Sequence, residues 1–129
     1  EWAEYWPNQM DDPYAEHINP TPKYVVSTTL ERAPWGAWDN TTLIKSNVAQ
    51  AITDLKQQPG KNIGIGGSIT LVRSLLREGL IDELTLIIHP VVVGRGKRLF
   101  HEGDPLSKFE LAYSQPTRSG VLILTYLPR

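Results

Sequence analysis

Residues 61–80, KNIGIGGSITLVRSLLREGL, decide the fold of this chain. The apolar run at 63–65 predicts a strand, the Gly66-Gly67 pair predicts a tight turn, and Ser68 begins an amphipathic helix. Glycines at such a turn let a ligand approach the backbone closely, and the unpaired N–H groups of a helix start favour a phosphate. The alternative is a plain tight turn, because the segment contains neither the full dinucleotide-binding fingerprint nor a P-loop.

Composition excludes several classes of protein. The chain has 129 residues, a formal net charge of −1 and no cysteine. This charge gives no basic surface for nucleic acid, and no apolar run approaches the ~18 residues of a membrane-spanning helix. Without cysteine there is no disulfide or thiolate chemistry, and three scattered histidines do not indicate a metal site. Because the start has no signal-peptide features, we expect a cytoplasmic protein.

The order of the predicted elements indicates the fold class. We predict helices ending near Pro7 and beginning near Pro13, Val48 and Ser68, and strands at 23–30, 41–45, 63–65, 84–93, 109–114 and 121–126. This alternation predicts one α/β domain over residues 1–129. We expect a three-layer αβα sandwich with a mostly parallel central sheet and an antiparallel C-terminal strand pair. The run at 84–93 is almost wholly apolar, which predicts a strand buried on both faces and interrupted at Pro90.

Small polar residues and glycines follow two strands of the predicted parallel sheet. Ser27, Thr28 and Thr29 come at the end of the strand that begins at Lys23, and the Gly66-Gly67 turn follows the run at 63–65. Ligands of parallel α/β sheets bind beyond the carboxyl ends of the strands. The agreement of the two strand ends therefore favours a phosphate site over a plain turn.

These stretches resemble a known family. KYVVSTTL at 23–30 and GIGGSITLVRSLLREGLIDELTLIIHPVVVGRGKRLF at 64–100 resemble the dihydrofolate-reductase-like superfamily. Within it, the chain is similar to the C-terminal reductase domain of the bifunctional riboflavin-biosynthesis deaminase-reductase and to its stand-alone relatives. The similarity extends from the Trp2 helix to the Tyr126 strand. It implies an NADPH-dependent reductase that transfers hydride to a pyrimidine- or pterin-like small molecule.

The resemblance also implies which residues bind. The serine after the first of these strands meets the adenosine 2′-phosphate in the family, which implies Ser27 with Thr28 beside it. The glycine turn and the helix start meet the pyrophosphate and the nicotinamide ribose, which implies Gly66, Gly67, Ser68, Ile69 and Thr70. The residues that would flank the substrate ring are Ile65 and Ile88. No residue of the sequence is a convincing general acid. Hydride transfer itself is cofactor chemistry, for which the protein mainly positions the two rings.

The sequence departs from the family's pattern at its start. A first strand with a substrate-contacting Asp, and a Gly-Arg motif before the Trp2 helix, have no counterpart in the 129 residues. In the family that strand lies between those here at 63–65 and 84–93. We expect it to be supplied by further residues, a separate chain or a swapped partner. Dihydrofolate reductases often place an Arg just after the serine that meets the 2′-phosphate, and here Thr28 occupies that position. NADH is therefore an alternative to NADPH, unless Arg32 from the following loop takes the place of that Arg.

Three other groups have two interpretations each. His89 is either a hydrogen-bonded histidine of the core or sheet edge, or a residue near the substrate pocket. Trp35 and Trp38 either line a ligand mouth or an oligomer contact, or seal the edge of the core. The basic turn at 95–98 is either solvated or in contact with an anionic group of the substrate.

Two functions stay open from the sequence. The first is the NADPH-dependent reductase, and the second is a non-catalytic nucleotide-binding or oligomeric member of the same fold. Four tryptophans, five tyrosines and the apolar strand at 121–126 favour a homodimer, because aromatic residues are enriched in interface cores.

Overall fold

The computed structural model describes all 129 residues, as two compact units, Glu1–Gln57 and Gln58–Arg129. The helices are α1 (Trp2–Tyr5), α2 (Pro13–Ile18), α3 (Val48–Gln57) and α4 (Ile69–Arg77), and a short 3-10 turn at Trp6–Asn8 follows α1. The strands are β1 (Lys23–Val26), β2 (Thr41–Ile44), β3 (Leu84–Ile88), β4 (Phe109–Pro116) and β5 (Leu122–Pro128). Both parallel and antiparallel strands occur, and the α/β class is confirmed. The longest helix, α3, has ten residues, and none of the helices has the length and apolarity to cross a bilayer.

The first unit is built on a parallel strand pair. β1 and β2 pair in register from Lys23 with Thr41 to Val26 with Ile44. The backbone N–H of Ser27 donates to the carbonyl of Ile44 at 3.0 Å, which extends the ladder by one bond. β1 is four residues shorter at its carboxyl end than the predicted 23–30, because the chain bends away from the ladder after Ser27.

A small polar network organises the core of the first unit. α2 begins at Pro13 as predicted, and Asp12 caps it, since its Oδ1 accepts from the N–H of Tyr14 at 2.8 Å. At the other end of α2, the ammonium of Lys23 donates to three carbonyls, those of Ile18, Asn19 and Thr21, at 2.7–2.9 Å. These bonds satisfy carbonyls that a helix end leaves unpaired.

The second unit contains a three-stranded antiparallel sheet with the order β3-β5-β4. β5 is the central strand and pairs on both sides, with Leu84 opposite Tyr126 and Phe109 opposite Pro128. The register shifts between Leu111 and Tyr113, which marks an irregularity in β4. The antiparallel pair predicted at the C-terminus is therefore confirmed.

Two strand predictions in the second unit are wrong. The run at 63–65 is not a strand, so fewer strands pair in parallel than the sequence predicts. β3 ends at Ile88, two residues before Pro90, and the side chains that follow are exposed, with Val92 at 99%. A strand exists only where a neighbour satisfies its backbone groups. β3 pairs with β5 along one edge, and its other edge pairs with no strand.

Helix α4 supplies the buried contact of the second unit. Its apolar residues Leu71, Val72, Leu75 and Leu76 lie at helical spacing, and Leu75 is only 1% exposed. The helix ends at Arg77, and Gly79, two residues later, has a φ of +69° that favours glycine. The N–H of Leu80 donates to the carbonyl of Leu75 at 2.9 Å and closes the helix end. This packing fixes where the helix begins, and so where the glycine turn lies.

Candidate functional site

The turn after β1 is organised around the hydroxyl group of Ser27. Its Oγ accepts from the backbone N–H groups of Thr29 at 3.3 Å and of Leu30 at 3.2 Å. It also lies 3.4 Å from the hydroxyl oxygen of Thr29. Ser27 is half-buried, whereas Thr28 is exposed. Because the oxygen accepts from the backbone, the Ser27 proton can be donated to a neighbouring acceptor.

The glycine turn lies immediately before α4. Gly67 has a φ of +72°, a conformation that side-chain-bearing residues adopt rarely, and a Cβ atom built there would meet no atom within 4 Å. Open space therefore lies beside the backbone at this turn. Gly66 is exposed and belongs to no strand or helix.

The first turn of α4 presents unpaired backbone donors. Ser68 is the N-cap residue, but its side chain accepts no hydrogen bond from the helix. Its carbonyl accepts from the N–H of Val72 at 3.0 Å, so the helical ladder begins there. The N–H groups of Ile69, Thr70 and Leu71 come before that first bond. Such groups carry the positive end of the helix dipole and suit an anion.

The two residues expected beside a substrate ring are both partly exposed. Ile65 is 37% exposed in the segment before the glycine turn, and Ile88 is 46% exposed at the last position of β3. Both belong to the second unit, which also carries residues 66–70. Ser27 and Thr28 belong to the first unit. The glycine turn and the helix start thus form one continuous segment of the second unit, and the Ser27 turn is a feature of the first.

The other candidate residues have simpler structural roles. Trp35 is 8% exposed and donates its indole N–H to Asn19, so it seals the core of the first unit, whereas Trp38 is 45% exposed. His89 is exposed and follows β3, and the N–H of Val91 donates to its carbonyl at 2.8 Å around Pro90. The basic turn at 95–98 is exposed.

The sequence gives no indication of an ion pair in the second unit. The guanidinium Nη2 of Arg73 in α4 lies 2.5 Å from Oδ1 of Asp104 in the loop between β3 and β4. Oδ2 of Asp104 accepts from the backbone N–H of His101 at 2.8 Å. The hydrogen bond from His101, and then the one from Arg73, hold the pKa of the Asp104 carboxyl below its usual value. The partners are 31 positions apart, so no local pattern joins them.

The family model of the RibD C-terminal domain matches residues 1–123, through both units. The chain belongs to the RibD C-terminal domain family. Its sheet pairing, its glycine turn and the helix that follows are therefore features of a RibD C-terminal domain, which confirms the resemblance drawn from residues 23–30 and 64–100.

Two proteins of Bacillus subtilis strain 168 are similar to this RibD C-terminal domain in sequence. YyaP is 32% identical over 131 residues, which cover 97% of this chain and 66% of YyaP. YwjB is 39% identical over 73 residues, which cover 57% of this chain and 42% of YwjB. Both relatives are uncharacterized proteins.

Two solved structures share the fold. A protein from Shewanella sp. PV-4, described as a candidate riboflavin biosynthesis protein, superposes with a TM-score of 0.74 at 28% identity over 94% of this chain. A pyrimidine reductase-like protein from Corynebacterium diphtheriae superposes with a TM-score of 0.56 at 21% identity over 69% of this chain and 38% of its own. The chain spans 66% of the length of YyaP and 65% of the Shewanella protein.

Proposed function

We propose that this protein is a cytoplasmic NADPH-dependent reductase that transfers hydride to a pyrimidine- or pterin-like small molecule. The observation that carries the proposal is the glycine turn before α4, with open space beside Gly67, in a RibD C-terminal domain. The pyrimidine class of substrate rests on the family and on the riboflavin-related description of the Shewanella protein. The cytoplasmic location rests on the sequence, which has no cysteine to require an oxidising compartment.

The chemistry of the second unit fits the pyrophosphate of such a cofactor. A phosphate needs several N–H donors that point at one place and no side chain that blocks it. The unpaired N–H groups at the start of α4 supply the donors, and Ser68 does not cover them. A Cβ atom at Gly67 would occupy the open space, which is why a glycine there suits the group. Residues 66–70 would hold the pyrophosphate and the adjoining ribose.

The Ser27 turn fits a phosphate monoester. The Ser27 oxygen already accepts from two backbone N–H groups, and its hydroxyl group keeps one proton to donate. A phosphate oxygen beside Ser27 would accept that proton, and the exposed Thr28 offers a second hydroxyl group. Arg32 in the following loop is exposed and is the nearest cation in sequence that would favour NADPH over NADH.

The residues of this chain bind and orient rather than react. The cofactor, when bound, supplies the hydride, and the protein holds the two rings in reactive geometry. The apolar side chains of Ile65 and Ile88 would exclude water from one side of a flat substrate ring. Apart from Arg32, which would face the cofactor phosphate, none of the proposed site residues has an ionisable side chain, so proton transfer to the substrate would come from solvent or from a group outside this set.

Calorimetric titration with NADPH tests the proposal. Gly67→Val places a branched side chain in the open space and should weaken binding several-fold or more, where tenfold corresponds to about 1.4 kcal/mol. Gly79→Val is the matched control, because Gly79 has nearly the same φ, +69° against +72°, and equally open surroundings at the opposite end of α4. Both variants carry the same backbone strain, so a loss seen only at Gly67 reports the binding site. Equal NADPH affinity in the wild type and Gly67→Val would refute the assignment.

A second candidate function is a nucleotide-binding protein without reductase chemistry. The lack of a general acid among the proposed site residues favours it. The two functions differ in turnover: a reductase consumes NADPH when a pyrimidine or pterin substrate is added, whereas a binding protein retains it. Loss of NADPH absorbance, measured against the same mixture without substrate, decides between them once binding is established.

A further inference from the structure

A cavity lies beside the C-terminal half of α4. Its volume is about 520 Å³, within the range of roughly 300–1,000 Å³ typical of ligand pockets. The helix, all three strands of the β3-β5-β4 sheet and the loop between β3 and β4 contribute to its mainly apolar lining, chiefly Leu76, Leu86, Phe100, Leu106, Phe109 and Tyr126. None of the residues proposed for the cofactor or the substrate lines it.

The apolar walls of this cavity are unusually exposed. Leu106 is 88% exposed and Phe100 is 50% exposed, although both are large apolar side chains. The rings of Phe109 and Tyr126 meet edge to face with centroids 6.2 Å apart and form a firm floor. Contiguous exposed apolar surface of this kind commonly marks a binding site. The walls thus suit the apolar body of a ligand.

The polar rim of the cavity carries an excess of positive charge. Arg73 and Arg77 lie one turn apart on α4, and both border the cavity together with Asp104. Asp104 is fully engaged, since one oxygen pairs with Arg73 and the other accepts from His101. The Nε–H of Arg73 is buried without an acceptor, and Arg77 is exposed beyond the Arg73–Asp104 pair. With two guanidinium groups and one carboxylate, the rim carries one uncompensated positive charge.

We propose that this cavity binds a small amphipathic anion, with an aromatic or branched apolar body against Phe109, Tyr126 and Leu106 and a carboxylate or sulfonate beside Arg77. A neutral apolar ligand would leave the positive charge of the rim uncompensated, and a cation would be repelled by it. Arg77 follows Ser68 by nine residues, which is about 13 Å along a helix that rises 1.5 Å per residue. The cavity is therefore distinct from the start of α4 and goes beyond the proposed reductase function.

A matched pair of fluorescent probes tests both parts of the proposal. Anilinonaphthalene sulfonate has an aromatic body and one negative charge, and phenylnaphthylamine has the same body without the charge. We expect the sulfonate to bind the wild-type protein more tightly, and Arg77→Met to weaken it by about three- to tenfold, as expected for the loss of a charge-assisted contact. The neutral probe should change by less than about twofold in Arg77→Met, because the apolar walls are untouched.

Three controls make the result specific. Arg118→Met removes an equal charge in the turn between β4 and β5, away from the cavity, and should leave both affinities unchanged. Leu106→Glu alters an exposed wall residue without cost to folding, and should weaken both probes. Saturating NADPH should not displace the sulfonate probe, since the proposed cofactor site lies at the other end of α4.

Several results would overturn the proposal. These are equal wild-type affinities for the two probes, an unchanged sulfonate affinity in Arg77→Met, and an equal loss in Arg118→Met. Insensitivity of both probes to Leu106→Glu would place them elsewhere on the surface, and displacement by NADPH would place the dye in the cofactor site. The NADPH titrations of Gly67→Val are a separate measurement, so failure of one proposal does not decide the other.

Discussion

The indole N–H of Trp35 donates to Oδ1 of Asn19 across 2.7 Å, and both residues are buried. The amide Nδ2 of the same Asn19 donates to the carbonyl of Trp6 at 3.0 Å. One side chain thus joins the segment after α1, the end of α2 and the loop before β2.

Asn19→Leu should destabilise the first unit strongly, because it leaves the indole N–H of Trp35 without an acceptor. It also removes one of the two donors to the carbonyl of Trp6, which keeps its bond from the N–H of Gln9. The orphaned indole costs about 1–3 kcal/mol and the lost hydrogen bond about 1 kcal/mol, so we expect a loss of roughly 2–4 kcal/mol in the free energy of unfolding. Urea unfolding followed by tryptophan fluorescence measures it. Asn8→Leu is the control, since Asn8 makes an exposed hydrogen bond to the carbonyl of Glu4 and should cost little. Equal losses in both variants would contradict this role of Asn19.

Lys23→Met should also destabilise the first unit. The ammonium group donates to three carbonyls and lies 4.6 Å from the centre of the Trp35 ring, and partial burial lowers its pKa. Methionine keeps the length of the side chain and removes all three donors, so a loss of about 1–3 kcal/mol is expected. Lys45→Met, which removes an exposed pair with Glu31, should lose at most about 1 kcal/mol. A Lys23→Met protein as stable as Lys45→Met would refute the prediction.

The local features of the fold follow from the sequence, whereas the pairing of strands does not. The start of α2 at Pro13 and the start of α4 after Ser68 depend on a few neighbouring residues, and both occur as predicted. The run at 63–65 has the apolar character of a strand but no partner, and apolar character alone does not satisfy backbone N–H groups. The Arg73–Asp104 pair and its cavity join residues far apart in the chain, so only the fold brings them together.

The pH dependence of stability should reveal the Arg73–Asp104 pair. The folded pKa of Asp104 lies below its usual 3.8, because the bonds from His101 and Arg73 favour the carboxylate. Its stabilisation is therefore fully present above about pH 3.8 and is lost as the pH falls through the lower folded pKa. The difference in unfolding free energy between wild type and Asp104→Asn should shrink in acid. Arg73→Met should retain part of the dependence through His101, and a difference that does not change with pH would contradict the pairing.

Amide hydrogen exchange should be faster in the run at 63–65 than in the sheet. Leu124 lies mid-way along β5, opposite Leu86 on one side and Ser114 on the other. Ile63 and Ile65 have no strand partner. Because exchange rates report local opening energies, the amides of Ile63 and Ile65 should exchange faster than that of Leu124 by a factor of about 100 or more. Similar protection at the three amides, measured by nuclear magnetic resonance, would show that the run is paired in solution.

We propose that the protein is a homodimer whose subunits meet at the β4 edge of the sheet. β5 is paired on both sides, so the apolar strand predicted at 121–126 has no free edge. The edge strand β4 exposes Leu111 at 52% and Tyr113 at 53%. Sedimentation at micromolar concentration should give twice the mass of the chain, and Leu111→Lys should give a monomer, because a lysine on an edge strand opposes pairing. Ser46→Lys adds the same charge in the first unit and should stay dimeric; a monomeric wild type would refute the proposal.

The two ends of helix α4 border different proposed sites: its first turn borders the cofactor site, and its C-terminal half borders the cavity. A phosphate group at Ser68 and an amphipathic anion at Arg77 would each act on the same short rod, which Leu75 anchors in the core. If a ligand in the cavity changes the affinity for NADPH, thermodynamic reciprocity requires NADPH to change the affinity of that ligand by the same factor. A titration of either ligand in the presence of the other therefore measures any coupling across the nine residues of α4.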